Sequence, residues 1–582
     1  DDGLATALSA GGEQVGEHGT FNLTLTLTPA GTAALDTVLE RIFGMINHLR
    51  SLPEMPAHVL EQRSRMAEVE LRFREPGPAF DEARFRAAVM PDHPADDLLR
   101  SVFLIPEPSQ EAIRTVLDAL TPENAVVLMA AKDRETDRVE RFYRAGYRVT
   151  PLGADRIARL HDALPPEGMG VPAPNPFLPT DFDLVATDHA ESPWVHRFEH
   201  GEAWLRHDTL FSRPKAALEI VVFNDDNWRS ARDFVLGELY AGAVTLAMNP
   251  HSYPLAEAGV ELGVASERRG ITVTASGFSD KLPDLTGFVL PFLTEVRIDA
   301  AQFAVLKADM QRRLANFGRQ APSAQSFEVF RELIREVHFT PAQQAAALEP
   351  LTRNDLVDYV RRAHDAVHVR AFAYGNLTEG AVRQAVDTLV AGIAPGRALT
   401  EAERYDGRVI LLRKGADAIV RRPVDAPDSI TLLLIQGEPA SREERAALAV
   451  VSKSLPPGFY GDLRTLQQTG YIVQSGAFEI EGVPHVFLLS QSSVVPTDSL
   501  RGRFMAHLAH YLDDLDEISD DEFKAIREAA IADLSKKSTT FAEELARNTR
   551  LAFEARDLDD TEKQLAALGA LTRERWIALT RK

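Results

Sequence analysis

Three stretches of this chain run through the same order of events, and that repetition limits what it can fold into. Each opens on a strand with alternating apolar and polar residues: FNLTLTLT (21–28), GITVTASGF (270–278) and VFLLSQSS (486–493). A period of two marks a strand buried on one face. Each strand precedes an amphipathic helix: AALDTVLERIFGMINHL, LTGFVLPFLTEV and LRGRFMAHLAHYLDDL, with apolar residues at three- and four-residue steps. Each stretch then closes on a Leu-Thr helix start: LTPENA (120–125), LTRNDL (351–356) and LTRERW (571–576). Threonine is a good N-cap, and an acid in the following turn suits the helix dipole. The first two starts run on into predicted strands, AVVLMAA and VHVRAFAYGN.

The fold class expected is therefore α+β, built from three α/β units of about two hundred residues each, a domain-sized scale. A chain of 582 residues is in any case too long for one core. The predicted domains are 1–163, 188–396 and 397–582, joined at 164–187 by a linker. The prolines and glycines of LPPEGMGVPAPNPFLPTDFDL (164–184) forbid a regular element there. PGRALTEAERYDG (395–407) separates the second and third units. By the same pattern the first unit lacks its opening elements and the third its closing strand. With a start, DDGLATALSAGG, that has no initiator Met, the chain is expected to be part of a longer protein.

Composition removes several function classes. The formal net charge is −22 and no basic stripe stands out, which argues against nucleic acid as a partner. No apolar run approaches the roughly eighteen residues of a membrane span, so no membrane partner is expected. Without cysteine there are no disulfides, no thiolate nucleophile and no sulfur-ligated metal.

One short motif points to metal chemistry. HRFEH, His196 to His200, fits H-x-x-E-H, in which two histidines hold zinc and the glutamate activates water. Chelation needs both nitrogens ~2.0–2.1 Å from the ion, which residues four apart achieve on a helix. On a strand they lie roughly 13 Å apart at ~3.3 Å per residue. Here Val195 and Arg197 alternate with His196 and Phe198, Pro193 precedes, and Gly201 follows. The segment reads as a hairpin, and no metal ligand is assigned. His364 and His368 fall where a helix gives way to a strand and read as solvated or capping. His507 and His510 read as one exposed helix face. The glycine-rich GGEQVGEHG (11–19) leads into a strand, whereas phosphate loops lead into a helix.

The most informative run is LPPGFYGDLRTLQQTGYIVQSGAFEI (455–480). Phe459, Tyr460 and Leu463 fit one apolar helix face. Gly470 is placed to end the helix as a C-cap, and Tyr471 starts a strand. Arg464 and Tyr471 are spaced to point at one spot, where a fixed cation and a phenolic donor can hold a carbonyl oxygen as it gains charge. The same spacing fits a surface arginine in an ion pair and a tyrosine packed on a sheet.

This run resembles the F-Y-x-x-L-R-T-x-x-Q-x-G-Y segment in the fourth domain of the pitrilysin and insulin-degrading enzyme family, through Phe459, Tyr460, Leu463, Arg464, Thr465, Gln468, Gly470 and Tyr471. NPFLPTDFDL (175–184), DTLFSRPKAAL, GFSDKLP (277–283), NFGRQAP (316–322) and YGNLT (374–378) have counterparts in the same order, so the resemblance spans nearly the whole chain. It implies three units of the LuxS and processing-peptidase type, equivalent to domains two to four of a two-half clamshell zinc metalloendopeptidase. The zinc-bearing first domain, or a separate zinc-bearing subunit, would be the missing partner. Zinc would be ligated there and not by this chain, which alone is expected to be inactive.

By the same resemblance Arg464 and Tyr471 grip the substrate backbone near the scissile carbonyl, and Phe459 and Tyr460 form the apolar wall beside it. Leu8, Ser9, Ala10, Gly11 and Gly12 match an exosite strand that adds a peptide to a sheet edge. Ala10 stands where some members have glycine. Substrates would be peptides or small unfolded polypeptides. Two alternatives stay open: a natural non-catalytic peptide-binding subunit, and the related peptidase of pyrroloquinoline quinone biosynthesis. A periplasmic location follows from pitrilysin's habit, with the cytoplasm as the alternative.

Overall fold

The structure is a computed structural model of the chain. It describes residues 3–15, 18–75, 77–105, 109–132, 134–186, 193–415 and 417–582. The predicted boundary at 187/188 therefore lies outside the described residues, as do Gly16 and Glu17 of the glycine-rich stretch. The chain separates into two compact units, one made of residues 1–74 and 80–178, the other of 75–79 and 179–582.

In the first unit, β1 (Ala5–Val15) and β2 (His18–Leu27) form an antiparallel pair. The chain then turns into helix, as the alternation of FNLTLTLT followed by AALDTV predicts. Thr28 caps a short helix by accepting from the Gly31 amide, and the Leu35–Ser51 helix buries Val38, Leu39 and Phe43. Leu39 and Phe43 pack with Leu160 as a small core. A second pair joins β3 (Arg138–Val139) to β4 (Gly146–Tyr147).

The expected strand AVVLMAA does not form. Residues 125–131 adopt no regular element, and Val126 and Leu128 are 94% and 93% exposed. An apolar run with β-branched residues suits a strand, but a strand also needs a partner edge, and none pairs with this segment among the described residues. LTPENA likewise yields only a single 3₁₀ turn, Pro122–Asn124, and not a full helix.

The second unit carries a seven-stranded mixed sheet. Its strands are β5 (Trp194–Phe198), β6 (Gly201–Arg206), β7 (Lys215–Asn224), β8 (Glu261–Glu267), β9 (Gly270–Phe278), β10 (Ala366–Gly375) and β11 (Arg397–Ala398). The spatial order is β5-β6-β10-β7-β9-β8, with β11 beside β10. The Ala231–Glu257 helix packs on it, and the Leu285–Thr294 helix lies against that helix. Thr352 caps the Arg353–Ala363 helix in a reciprocal capping box with Asp355, as LTRNDL implies. The stretch 395–407 is more than a spacer: it supplies β11 and buries Leu399 and Tyr405.

A three-stranded antiparallel sheet follows, ordered β12-β14-β13, from β12 (Ser429–Gln436), β13 (Ile472–Ile480) and β14 (Val483–Ser492). The Arg442–Tyr460 and Thr497–Asp514 helices flank it. Thr572 caps the Arg573–Thr580 helix, whose Trp576 is fully buried. The strand-then-helix order read from the sequence thus occurs in all three places, and the fold class is α+β. No helix among the described residues is long and apolar enough to cross a membrane.

Candidate functional site

The HRFEH segment is a hairpin. His196 lies on β5 opposite Ala203 of β6, and the turn at Glu199–His200 ends on Gly201. The His196 ring stacks between Trp194 at 5.7 Å and Phe198 at 5.6 Å. Gly201 is required by crowding, since a Cβ there would lie 1.8 Å from the Val369 carbonyl oxygen. Among the described residues no three His, Asp or Glu side chains are gathered as a metal would need.

The other histidine pairs differ from expectation. His364 does cap a helix, but it is turned inward, with Nε2 3.3 Å from the Tyr240 hydroxyl. Burial pushes it down to about 4. His368 also goes down to about 4, by burial and then by Arg404, whose Nη1 is 3.0 Å from its Nε2. His507 has only 12% of its side chain exposed and meets Asp462 Oδ2 at 3.1 Å, whereas His510 is exposed.

The run 455–480 builds a rigid corner. Ser441 starts its helix in a capping box with Glu444. Pro456 and Pro457 lie inside that helix, which widens after Tyr460 into a π-helical turn, Gly461–Leu466. Wide turns of this kind occur often at functional sites. Within the turn, the Leu463 carbonyl accepts from the Thr469 amide at 2.9 Å and the Thr469 hydroxyl at 3.0 Å. Thr469 is wholly buried and reaches Ser490 of β14 at 3.2 Å.

The chain reverses at Gln468, which takes the left-handed conformation at φ 49°. The helix therefore ends at its cap Gln467 and at left-handed Gln468, ahead of the expected Gly470. Gly470 serves close approach instead: a Cβ there would sit 1.9 Å from the Gln491 carbonyl oxygen of β14. Pinned in this way, the corner brings Arg464 from the helix end to Tyr471 at the start of β13. The guanidinium carbon lies 5.2 Å from the Tyr471 ring centre.

Neither bland alternative describes this pair. Tyr471 is 86% exposed, so it is not packed on the sheet. No carboxylate pairs with Arg464 among the described residues, and the neighbouring Asp462 is held by His507 and Gln467. Tyr460 is half exposed beside them in sequence.

Phe459 is different and corrects the expected wall. It is 0% exposed and packs with Phe504 at 5.3 Å and His507 at 5.4 Å. Four residues before buried Leu463, it lies on the inward helix face, while Tyr460 is turned about 100° away. Phe459 supports the corner from beneath and offers no surface to a ligand.

Leu8, Ser9, Ala10, Gly11 and Gly12 lie together on β1, paired with Leu25, Thr24, Leu23, Asn22 and Phe21. All five are exposed. The outer edge of β1 has no partner among the described residues. A Cβ on Gly11 would meet nothing within 4 Å, so the hairpin itself does not demand that glycine.

Residues 71–347 match the middle or third domain of M16 peptidases. Residues 450–549 match domain 4 of the C-terminal lobe of PQQ synthase PqqF-like proteins. Human insulin-degrading enzyme is 24% identical over 578 residues, covering 97% of this chain and 56% of its own. The A-factor-processing enzyme of Saccharomyces cerevisiae is 23% identical over 562 residues, covering 95% and 54%. The chain thus spans about half the length of these curated relatives. Pitrilysin shares the fold, with a TM-score of 0.78 and 20% identity over 99% of this chain and 62% of that one. Over nearly its whole length the chain is similar to the pitrilysin and insulin-degrading enzyme family of M16 peptidases.

Proposed function

We propose that this chain is the part of a zinc metalloendopeptidase that handles the peptide backbone, within an enzyme that encloses and cleaves peptides and small unfolded polypeptides. The observation that carries the reading is the Arg464–Tyr471 pair: an exposed phenol against a partly exposed guanidinium, in mutual contact, and unclaimed by any carboxylate among the described residues. A planar guanidinium and a phenolic hydroxyl are fixed donors. They hold a peptide carbonyl more tightly as negative charge grows on its oxygen, and so lower the barrier. Tyr460 would flank the bound chain. The β1 edge, with Leu8 to Gly12, would take the peptide's N-terminal end as an added strand.

The described residues do not fit zinc. In this reading the metal belongs to a part of the enzyme outside this chain, and the isolated chain hydrolyses nothing. A fluorogenic peptide incubated with the purified 582-residue chain should remain intact. EDTA-sensitive cleavage would overturn the assignment.

A second reading has its own support. The match of residues 450–549 to the PqqF-like domain favours a peptidase acting on one small precursor peptide of quinone-cofactor synthesis. In the complete enzyme, rapid cleavage of that precursor with no cleavage of unrelated peptides would select it. In both readings the site is the same, and the compartment we propose is the periplasm.

A further inference from the structure

The large sheet of the second unit is covered unequally on one face. Val221, Phe223, Phe372 and Tyr374 form a core there with Phe541, Leu551 and Phe553. That cover closes over β10 and β7. Beyond β7 the same face continues with small or polar residues: Thr274 stands opposite Glu219, Ser276 opposite Ala217, and Gly263 opposite Thr274. A cavity of about 560 Å³ opens at this point, lined on this face by Glu219, Glu261, Gly263, Thr274, Ser276 and Leu545 and reaching Ser252 and Leu255 of the Ala231–Glu257 helix.

Glu219 is the unexplained group. It interrupts an apolar run on a central strand, KAALEIVVFN. Among the described residues no side chain or backbone group hydrogen-bonds to its carboxylate, and Arg269, the cation that acts on it, is paired with Glu481. Burial pushes its carboxyl up to about 7, Glu267 adds to the push, and Arg269 opposes it. A half-buried acid without a partner costs free energy that an incoming cation would offset.

The edge of the sheet supplies the other half of the argument. β8 is the last strand in the order, and its outer edge has no partner among the described residues. An open edge accepts an extended chain through main-chain hydrogen bonds, with alternate side chains falling on one face. Glu261 and Glu267 stand on β8 at the same parity as Gly263, on the cavity face. The cavity, the unclaimed carboxylate and the open edge therefore agree on one ligand chemistry.

We propose that this cavity is a subsite for an arginine or lysine side chain of an extended polypeptide laid along the edge of β8. Only the source of that polypeptide, the enzyme's substrate, rests on the peptidase reading. Glu267 on β8 and Arg269 in the following turn act on Glu219; Glu261 on β8 and Arg370 and Tyr374 on β10 stand on the same sheet face, and the Phe541–Arg550 helix that covers this face carries Glu544. Arg370 and Glu544 are paired with Asp406 and Arg547, and the Tyr374 hydroxyl donates to Asp208.

The test is fluorescence anisotropy with the full chain and two labelled peptides, alike except that one arginine is replaced by citrulline, its neutral isostere. At ~pH 8.5 the arginine peptide should bind roughly 10-fold more tightly, and by ~pH 5.5, with Glu219 protonated, the preference should vanish. Glu219→Gln should abolish the preference at every pH, and Ser276→Trp should do so by filling the cavity. Equal binding of both peptides by the unmodified chain overturns the proposal. So does an arginine preference that survives either variant, or one that does not change with pH. If Glu219→Gln fails to fold, the wild-type pH series and Ser276→Trp decide alone. Loss of turnover in the complete enzyme would speak against the peptidase reading and leave these binding results unaltered.

Discussion

Arg464 and Tyr471 differ in what each loses on substitution. Tyr471→Phe keeps the ring that stacks on the guanidinium and removes only the hydroxyl. Deleting one donor to a developing oxyanion costs about 10²-fold in kcat. In the complete enzyme Tyr471→Phe should therefore lower kcat with little change in KM, measured on a fluorogenic peptide. Arg464→Lys keeps the charge but not the planar fork, and should fall with it. Full turnover in both variants would remove the roles proposed here. Gly470 is argued from space alone. Gly470→Ala pushes a methyl to 1.9 Å from the Gln491 carbonyl, so the corner must move or break. A loss of about 2 kcal/mol or more in urea unfolding is expected, and kcat should fall with the displaced pair.

At the scale of elements, β1 is the informative case. Its glycines are not demanded by the hairpin, so enlarging one tests the exosite without disturbing the fold. Gly11→Val, whose Cβ meets nothing within 4 Å, should leave thermal unfolding unchanged. In the complete enzyme it should raise KM for long peptides more than for short ones; an equal effect on both would separate β1 from peptide binding. The elements also mark where sequence reading succeeds. The β9 strand, the capping boxes and the hairpin at HRFEH were all legible, because periodicity, N-caps and turn glycines act over a few residues. The π-helical turn was not legible, because it depends on how Thr469, bonded to the Leu463 carbonyl, meets Ser490 on another strand.

Over the whole molecule, the buried histidines set a pH response. Both His364 and His368 are held near 4, well below the ordinary histidine value near 6.5. A lowered folded value means that the unfolded chain takes up protons first as pH falls. Their contribution to stability is therefore complete above the unfolded value and is lost as pH falls through the window from about 6.5 to 4. Each can contribute a slope of at most ~1.4 kcal/mol per pH unit. Urea midpoints measured across that window should drop, and His364→Gln should flatten the drop; an unchanged slope would show that His364 is not buried neutral. Glu219 works in the opposite sense. Its raised carboxyl favours the folded state below the unfolded value near 4.5, and that advantage is lost as pH rises towards about 7.

By itself the sequence determined the α+β class, the strand-then-helix order, the hairpin that disqualifies HRFEH, and the Arg464–Tyr471 spacing. All of these are local or periodic properties of neighbouring residues. Only the tertiary structure decided that Phe459 is core while Tyr460 is exposed, that residues 125–131 find no strand partner among those described, and that His507 is turned in against Phe459 and Asp462. It also decided that Glu219 faces a cavity. These outcomes turn on which surfaces from distant parts of the chain cover one another, and no pattern of a few residues encodes that.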